Sequence, residues 1–167
     1  MRIIGHLIGN LVIASIMVIA MTTHAQKKEI VWATAVSKQE STGRAIVFRY
    51  IKEFPASFLR SAHPDRVILL WRYTSPSGMP SPQEREAMDR LENILDPVIR
   101  ARALGTLVLV STGDDFREWI YYTKSEREFI ATLNKALTGH PRFPIEIHAA
   151  PDPQWSTFET FRQGVRQ

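Results

Sequence analysis

Two four-residue segments, Ser81-Pro-Gln-Glu84 and Ser125-Glu-Arg-Glu128, do most to limit what this chain can become. Each sets a serine where its hydroxyl can accept from the third following amide, and a glutamate where it can reach back to the serine's own N–H, which is how helices start. The first adds a proline at the first helical position, where a missing N–H removes no helical bond. Beyond Ser81, Met88, Leu91, Leu95 and Val98 recur at three- and four-residue spacing and make one apolar stripe. Pro97 is expected to kink this helix or to begin a new turn capped by Asp96. Beyond Ser125, Phe129, Ile130, Leu133 and Leu137 face inward and the helix is expected to stop at Gly139.

Around the two helices the apolar period changes from that of a helix to that of a strand. Residues 30–35 form a short strand, 37–43 a polar turn, and in 44–54 Ile46, Phe48 and Tyr50 alternate with Val47, Arg49 and Ile51, so the pair is a hairpin. Residues 55–65 connect to 67–74, whose near-continuous apolar run marks a central strand. Residues 107–110 and 116–123 flank Thr112-Gly-Asp-Asp115 and make a second hairpin. Residues 143–149 are the last strand, and Asp152-Pro153 caps a short terminal helix that returns Trp155, Phe158 and Phe161 to the body. From residue 67 onward the order is strand, helix, strand, strand, helix, strand. That order predicts an α+β fold of the ferredoxin-like split βαβ kind, an antiparallel sheet with two helices on one face, extended by the N-terminal hairpin and the short C-terminal helix. The opposite face is open unless the terminal helix or a partner covers it.

The chain begins Met1-Arg2, continues through the apolar run of residues 11–21, and reaches Thr23-His24-Ala25, a pattern that predicts a signal peptide cleaved after Ala25. Residues 3–21 could span a membrane as a retained anchor only if Gly5, His6, Gly9 and Asn10 were tolerated. The expectation is therefore one domain over residues 26–167, periplasmic or secreted. The sequence has no cysteine, so neither a disulfide, a thiolate nucleophile nor a Cys-based zinc site is available, and packing alone must hold the fold. Lys and Arg number 21 against 17 Asp and Glu, too even a balance to argue for nucleic acid. Charges of both signs are interleaved at Arg85-Glu86, Asp89-Arg90 and Glu126-Arg127-Glu128, which reads as solvated helix faces. The tail, with Arg162 and Arg166, is locally more basic.

Trp71-Arg-Tyr73, Gly78-Met-Pro80, Arg117-Glu-Trp119 with Tyr122-Thr123, His140 followed by Phe143-Pro-Ile-Glu-Ile147, and Asp152-Pro-Gln-Trp155 with Phe158 together resemble the bacterial family called domain of unknown function 695. The resemblance covers roughly residues 66–161. It implies a family without an established activity, so it assigns no catalytic role to any residue.

The chain lacks G-x-S-x-G, S-x-x-K, a phosphate-cradling glycine loop, H-E-x-x-H and EF-hand spacing. Carboxylate-based hydrolysis leaves no such local signature. Glu146 and His148, two apart on a strand, share a face, with Ile145, Ile147 and Ala149 turned to the core. Glu118 on the preceding strand could join them as an acid/base or divalent-ion cluster, although a solvated face with a cross-strand charge pair is the commoner fate of such residues. Arg117, Trp119 and Tyr121 share one strand face. Facing out they would form a binding platform with Arg72 nearby, and facing in Trp119 and Tyr121 would be core, as the average burial of tryptophan favours.

Trp71 and Trp155 read as core anchors, and Trp32 fits either role. His63 and His140 precede prolines and read as loop residues. Ser81 and Ser125 are caps, and the Gly78-Met-Pro80 loop with the Gly113-Asp-Asp115 turn could make a rim. The sequence thus predicts a module that binds an unknown protein or small-molecule partner through its sheet face or loop rim, without catalysis, cofactor or metal. The alternatives are a hydrolase-like enzyme using Glu118, Glu146 and His148, or a membrane-tethered accessory protein if the leader is retained. A monomer and a homodimer are both compatible with the sequence.

Overall fold

The computed structural model describes residues 29–165, so the expected leader and its cleavage after Ala25, like Arg166, lie outside the described residues. The elements are β1 (Val31–Lys38), β2 (Ala45–Glu53), a 3-10 turn (Arg60–Ala62), β3 (Asp65–Arg72), α1 (Pro82–Ala101), β4 (Gly105–Gly113), β5 (Phe116–Thr123), α2 (Glu126–Ala136), β6 (Ile145–Pro151) and α3 (Ser156–Val165). They make an α+β fold of one six-stranded sheet with three helices, the strands ordered β1-β2-β4-β5-β3-β6 and every neighbouring pair antiparallel.

The capping box closes in full at α1, whereas at α2 only the serine half forms, the Ser125 amide donating to the Thr123 hydroxyl instead of to Glu128. The Ser81 hydroxyl accepts from the Glu84 amide at 3.3 Å while the Glu84 carboxylate accepts from the Ser81 amide at 2.7 Å, with Pro82 opening the helix. At α2 the Ser125 hydroxyl accepts from the Glu128 amide at 3.3 Å, and Asp65 of β3 accepts from the Glu126 amide at 3.0 Å.

Three local expectations need correction. The helix α1 runs through Pro97 without a break, because Pro97 and Asn93 are both exposed and the carbonyl deprived of its helical donor faces water. Asp96, instead of capping a new turn, pairs with Arg100 one turn on at 2.9 Å. The buried stripe of α1 is Met88, Leu91, Leu95 and Ile99, with Val98 only half-buried beside it. α2 ends at Ala136 rather than at Gly139, which lies in the following turn with φ of 82°.

The β4–β5 hairpin turns on Asp114 and Asp115, both at positive φ (52° and 70°). Two left-handed residues match the twist of the flanking strands, and aspartate tolerates that conformation better than most side chains. An extra residue in β4 shifts the register between Leu107 and Leu109, so that Val108 and Leu109 both join the core opposite to that of Leu107.

The sheet separates two cores. Val67, Leu69, Trp71, Leu107, Val110, Trp119 and Tyr121 meet the stripes of α1 and α2 on one face. On the other, Ile51, Leu109, Ile120 and Tyr122 meet Trp155 and Phe158, joined by Phe54 and Phe58 from the connector after β2. Trp155 stacks on Tyr122 with ring centroids 3.9 Å apart. Its indole N–H donates to the His63 carbonyl at 3.0 Å, and it holds a positive φ of 58°. His63, expected as a plain loop residue, is buried and stacked on Phe58. Burial lowers its pKa, which the bond to the Leu59 carbonyl only partly opposes. The terminal helix thus covers much of the face that the other two helices leave free.

Candidate functional site

The row Arg117, Trp119 and Tyr121 does share one face of β5, but it is the face under α1 and α2. Trp119 is 1% exposed and Tyr121 fully buried, so no aromatic platform is presented to solvent. Tyr121 packs on Phe129 of α2, and the Trp119 indole donates to Glu92 of α1 at 2.9 Å. Arg117 alone of the three reaches the surface. Its guanidinium donates to Thr112 at 2.9 Å and to Asp89 at 2.8 Å, and lies over the Trp119 ring. Arg72 points to the opposite face and donates to Glu146 at 3.0 Å, so it does not join that row.

Glu118, Glu146 and His148 lie on one sheet face, the side that carries α3. Cross-strand partners run Ser111, Glu118, Leu70, Glu146 across β4, β5, β3 and β6, which leaves β3 between the two glutamates. Two strand spacings put their backbones about 10 Å apart, too far for the carboxyls to share a proton without further movement. Glu146 accepts from Arg72 and lies 3.5 Å from the His148 ring nitrogen. Burial raises the pKa of Glu118, opposed by the charges of His148, Arg72 and Arg66. Among the described residues no three His, Asp or Glu side chains are grouped to hold a metal ion. Ile147, expected in the core, is 38% exposed because β6 is an edge strand.

The two loops expected to form a rim do meet. Asp115 donates its amide to the Gly78 carbonyl at 3.1 Å and accepts from the Ser75 amide at 3.0 Å and from Arg44 at 2.6 Å. The buried Tyr73 hydroxyl donates to the Gly78 carbonyl at 3.0 Å, and burial pushes its pKa up to about 12. Gly78 has φ of +75°, and a Cβ there would come within 2.8 Å of the Arg44 side chain. The rim is a locked joint between loops, its polar groups spent on one another.

A polar groove lies on the opposite sheet face from Glu118 and Glu146. The sheet is six strands wide, whereas α1 and α2 pack over its β4, β5 and β3 part, so the β1–β2 hairpin projects past α1 and leaves a groove of about 520 Å³. One wall is the hairpin, with Thr34, Val47 and Arg49; the floor is Val110, Thr112 and Arg117; the other wall is α1, with Asp89, Glu92 and Asn93. Arg49 pairs with Glu92 and lies over the Trp32 ring with 5.1 Å to its centroid. Glu92 therefore holds two donors, the Arg49 guanidinium and the Trp119 indole, on its two oxygens. A second groove of about 490 Å³ continues along α1 past Trp32 to Asp96 and Arg100. Burial raises the pKa of Asp96 there, against the pull of Arg100.

Reading the sequence alone misses this groove, since Arg49 passes as one more strand residue and Asp89 and Glu92 as a solvated helix face. The usable signal was the spacing Asp89, Glu92, Asp96, which runs as a stripe beside Met88, Leu91 and Leu95 and so must border whatever the apolar stripe packs on.

No helix among the described residues is long and apolar enough to cross a membrane. Residues 31–161 match the family model described as Family of unknown function (DUF695). No curated protein and no solved structure matches the chain.

Proposed function

The chain belongs to the DUF695 family, whose function is unknown, and we propose that it is an exported binding module, without catalysis, that takes a small polar ligand carrying an anionic group into the groove between α1 and the β1–β2 hairpin. The observation that carries this reading is the pair of guanidiniums, Arg49 and Arg117, on one concave surface, each held by a carboxylate of α1. Pockets that bind small ligands are concave and place a few polar groups convergently. A planar guanidinium offers a carboxylate or phosphate two parallel N–H donors. Asp89 and Glu92 keep both arginines in place while the groove is empty of ligand, and Asp89, at 55% side-chain exposure, is the one an anion displaces most cheaply. Export is supported by the basic, apolar and small-residue succession of residues 1–25. Acid–base chemistry on the other sheet face has less support, because Glu118 and Glu146 stand on strands separated by β3.

The finer fold reading belongs with this proposal. A ferredoxin-like split βαβ core is supported by the order β4-β5-β3-β6, antiparallel throughout, with α1 and α2 sharing one core on one face. In that reading the hairpin β1–β2 is an added edge whose overhang makes the groove.

A thermal-shift screen of the purified protein against amino acids, dicarboxylates, sugar acids and phosphate esters tests the function. At least one compound is expected to raise the melting temperature by several degrees at millimolar concentration, and Arg49→Glu is expected to abolish that shift while melting near the parent. Shifts of equal size in parent and variant would place binding outside the groove and overturn the reading.

A further inference from the structure

We propose that a second copy of this chain pairs with the free edge of β1, strand against strand in antiparallel, to give a two-fold dimer with one continuous sheet. Among the described residues β1 is the outermost strand on its side, eight residues long, with no proline and no charge before Lys38. Its pairing with β2 shifts register between Val31 and Trp32, but the extra residue, Lys52, is on β2, so the outer edge of β1 stays regular. Edge strands are ordinarily protected by charge, proline or a bulge. The opposite edge, β6, has exposed Glu146 and His148 and ends at Pro151. β1 lacks those protections and instead shows three large apolar side chains to solvent, Val31 at 39%, Trp32 at 38% and Val36 at 68%.

The residue pattern of the strand points to an identical strand as occupant. With Thr34 on the two-fold axis, Trp32 of one copy lies opposite Val36 of the second and Val36 opposite Trp32, so both large exposed side chains on the groove side are covered twice over. Ala33 then meets Ala35 on the other side, small against small, which lets the chains approach without a clash. Electrostatics agree. Residues 31–37 carry no charge, so no like charges are opposed, and the antiparallel sense brings Lys38 of each copy toward the end of the second copy's strand, where Glu29 stands. A two-fold axis normal to the sheet keeps both grooves on the same side. The seven mutually paired residues of each copy, 31–37, bury about 1,000 Å² in total, at the low end for specific interfaces, so the dimer is reversible and depends on concentration.

Sedimentation velocity of the purified protein from 1 to 200 µM, together with single-cysteine variants in this cysteine-free chain, tests the inference. The parent is expected to pass from monomer to dimer over that range, and Val36→Lys is expected to weaken dimerisation at least tenfold with an unchanged far-UV spectrum. Under mild oxidation Thr34→Cys, next to its own copy across the axis, is expected to form a disulfide dimer, and Lys38→Cys is not, since two-fold pairing separates the Lys38 positions by most of the strand pair. A parent that stays monomeric at 200 µM would overturn the proposal. So would Val36→Lys dimerising as the parent does, or Lys38→Cys cross-linking as readily as Thr34→Cys.

Discussion

Asp152 shows how much one side chain organises here. Its carboxylate accepts from the Ser156 amide at 2.8 Å, the Thr157 amide at 3.1 Å and the Tyr122 hydroxyl at 2.6 Å, so it caps α3 and ties that helix to the centre of the sheet. Burial by itself would raise its pKa, but those hydrogen bonds outweigh burial and hold it at about 2, against an ordinary 3.8. A carboxyl depressed on folding stabilises fully above its unfolded pKa, and that contribution disappears as pH falls from about 4 through 2. Asp152→Ala is therefore expected to cost about 3 kcal/mol at pH 7 in urea unfolding, with the gap to the parent shrinking by more than half at pH 2.5. A gap that is constant with pH would contradict the assignment. The capping role was legible in the sequence as Asp152-Pro153 before an amphipathic segment. The Tyr122 bond was not, because nothing local links residues thirty apart. Glu92 is a parallel case: its two donors come from β2 and β5, so it reads as a surface acid until the width of the sheet is known.

At the scale of elements, period and capping located the α-helices and strands that the structure describes but not the 3-10 turn Arg60–Ala62 within the connector, and the failures have physical causes. Pro97 predicts a kink or a new turn because an isolated helix would lose a bond there; no new turn starts, since Leu95 and Ile99 hold the last turns of α1 against the sheet. The hairpin β1–β2 was expected to extend the sheet, and it does so by pairing β2 with β4. Which edge it takes depends on where β4 ends up, a consequence of tertiary order that no single strand encodes. α3 was foreseen as a helix returning its aromatics, and its weight in the fold is greater than its ten residues suggest. It brings in Phe158, fully buried, and seats Phe161 against Phe48 and Tyr50 with ring centroids 5.0 and 5.2 Å apart. Ending the chain after Pro153 removes this layer and Trp155, and exposes Ile51, Ile120 and Tyr122. Burying a large apolar side chain stabilises by about 2 kcal/mol, and several are lost at once. The truncated protein is expected to bind a hydrophobic dye and to lose its cooperative thermal transition. A melting temperature within 2 °C of the parent would show that α3 is peripheral.

For the whole molecule, the decisive relation is one of widths. Two helices pack over β4, β5 and β3, a third covers part of the opposite face, and the two added strands β1 and β2 overhang. The overhang creates both the polar groove and the bare edge of β1, and neither could be read from residues 26–167 without the strand order. Glu118, Glu146 and His148 form a charged face beside α3, and the Arg117 row is the groove floor and the core beneath it. Four tryptophans make the central claim measurable. The Trp119 indole donates to Glu92 and Trp32 stacks under Arg49, both at the groove; Trp71 is the cross-strand neighbour of Arg117 on the groove floor, while Trp155 lies in the core on the other sheet face. The most direct measurement is a ¹H–¹⁵N titration of the four indole signals with the carboxylate or phosphate compound that gives the largest thermal shift. If the groove is the binding site, the Trp119 and Trp32 indoles move saturably together and that of Trp155, on the other sheet face, stays in place. Saturable binding that leaves Trp119 and Trp32 unmoved would contradict it.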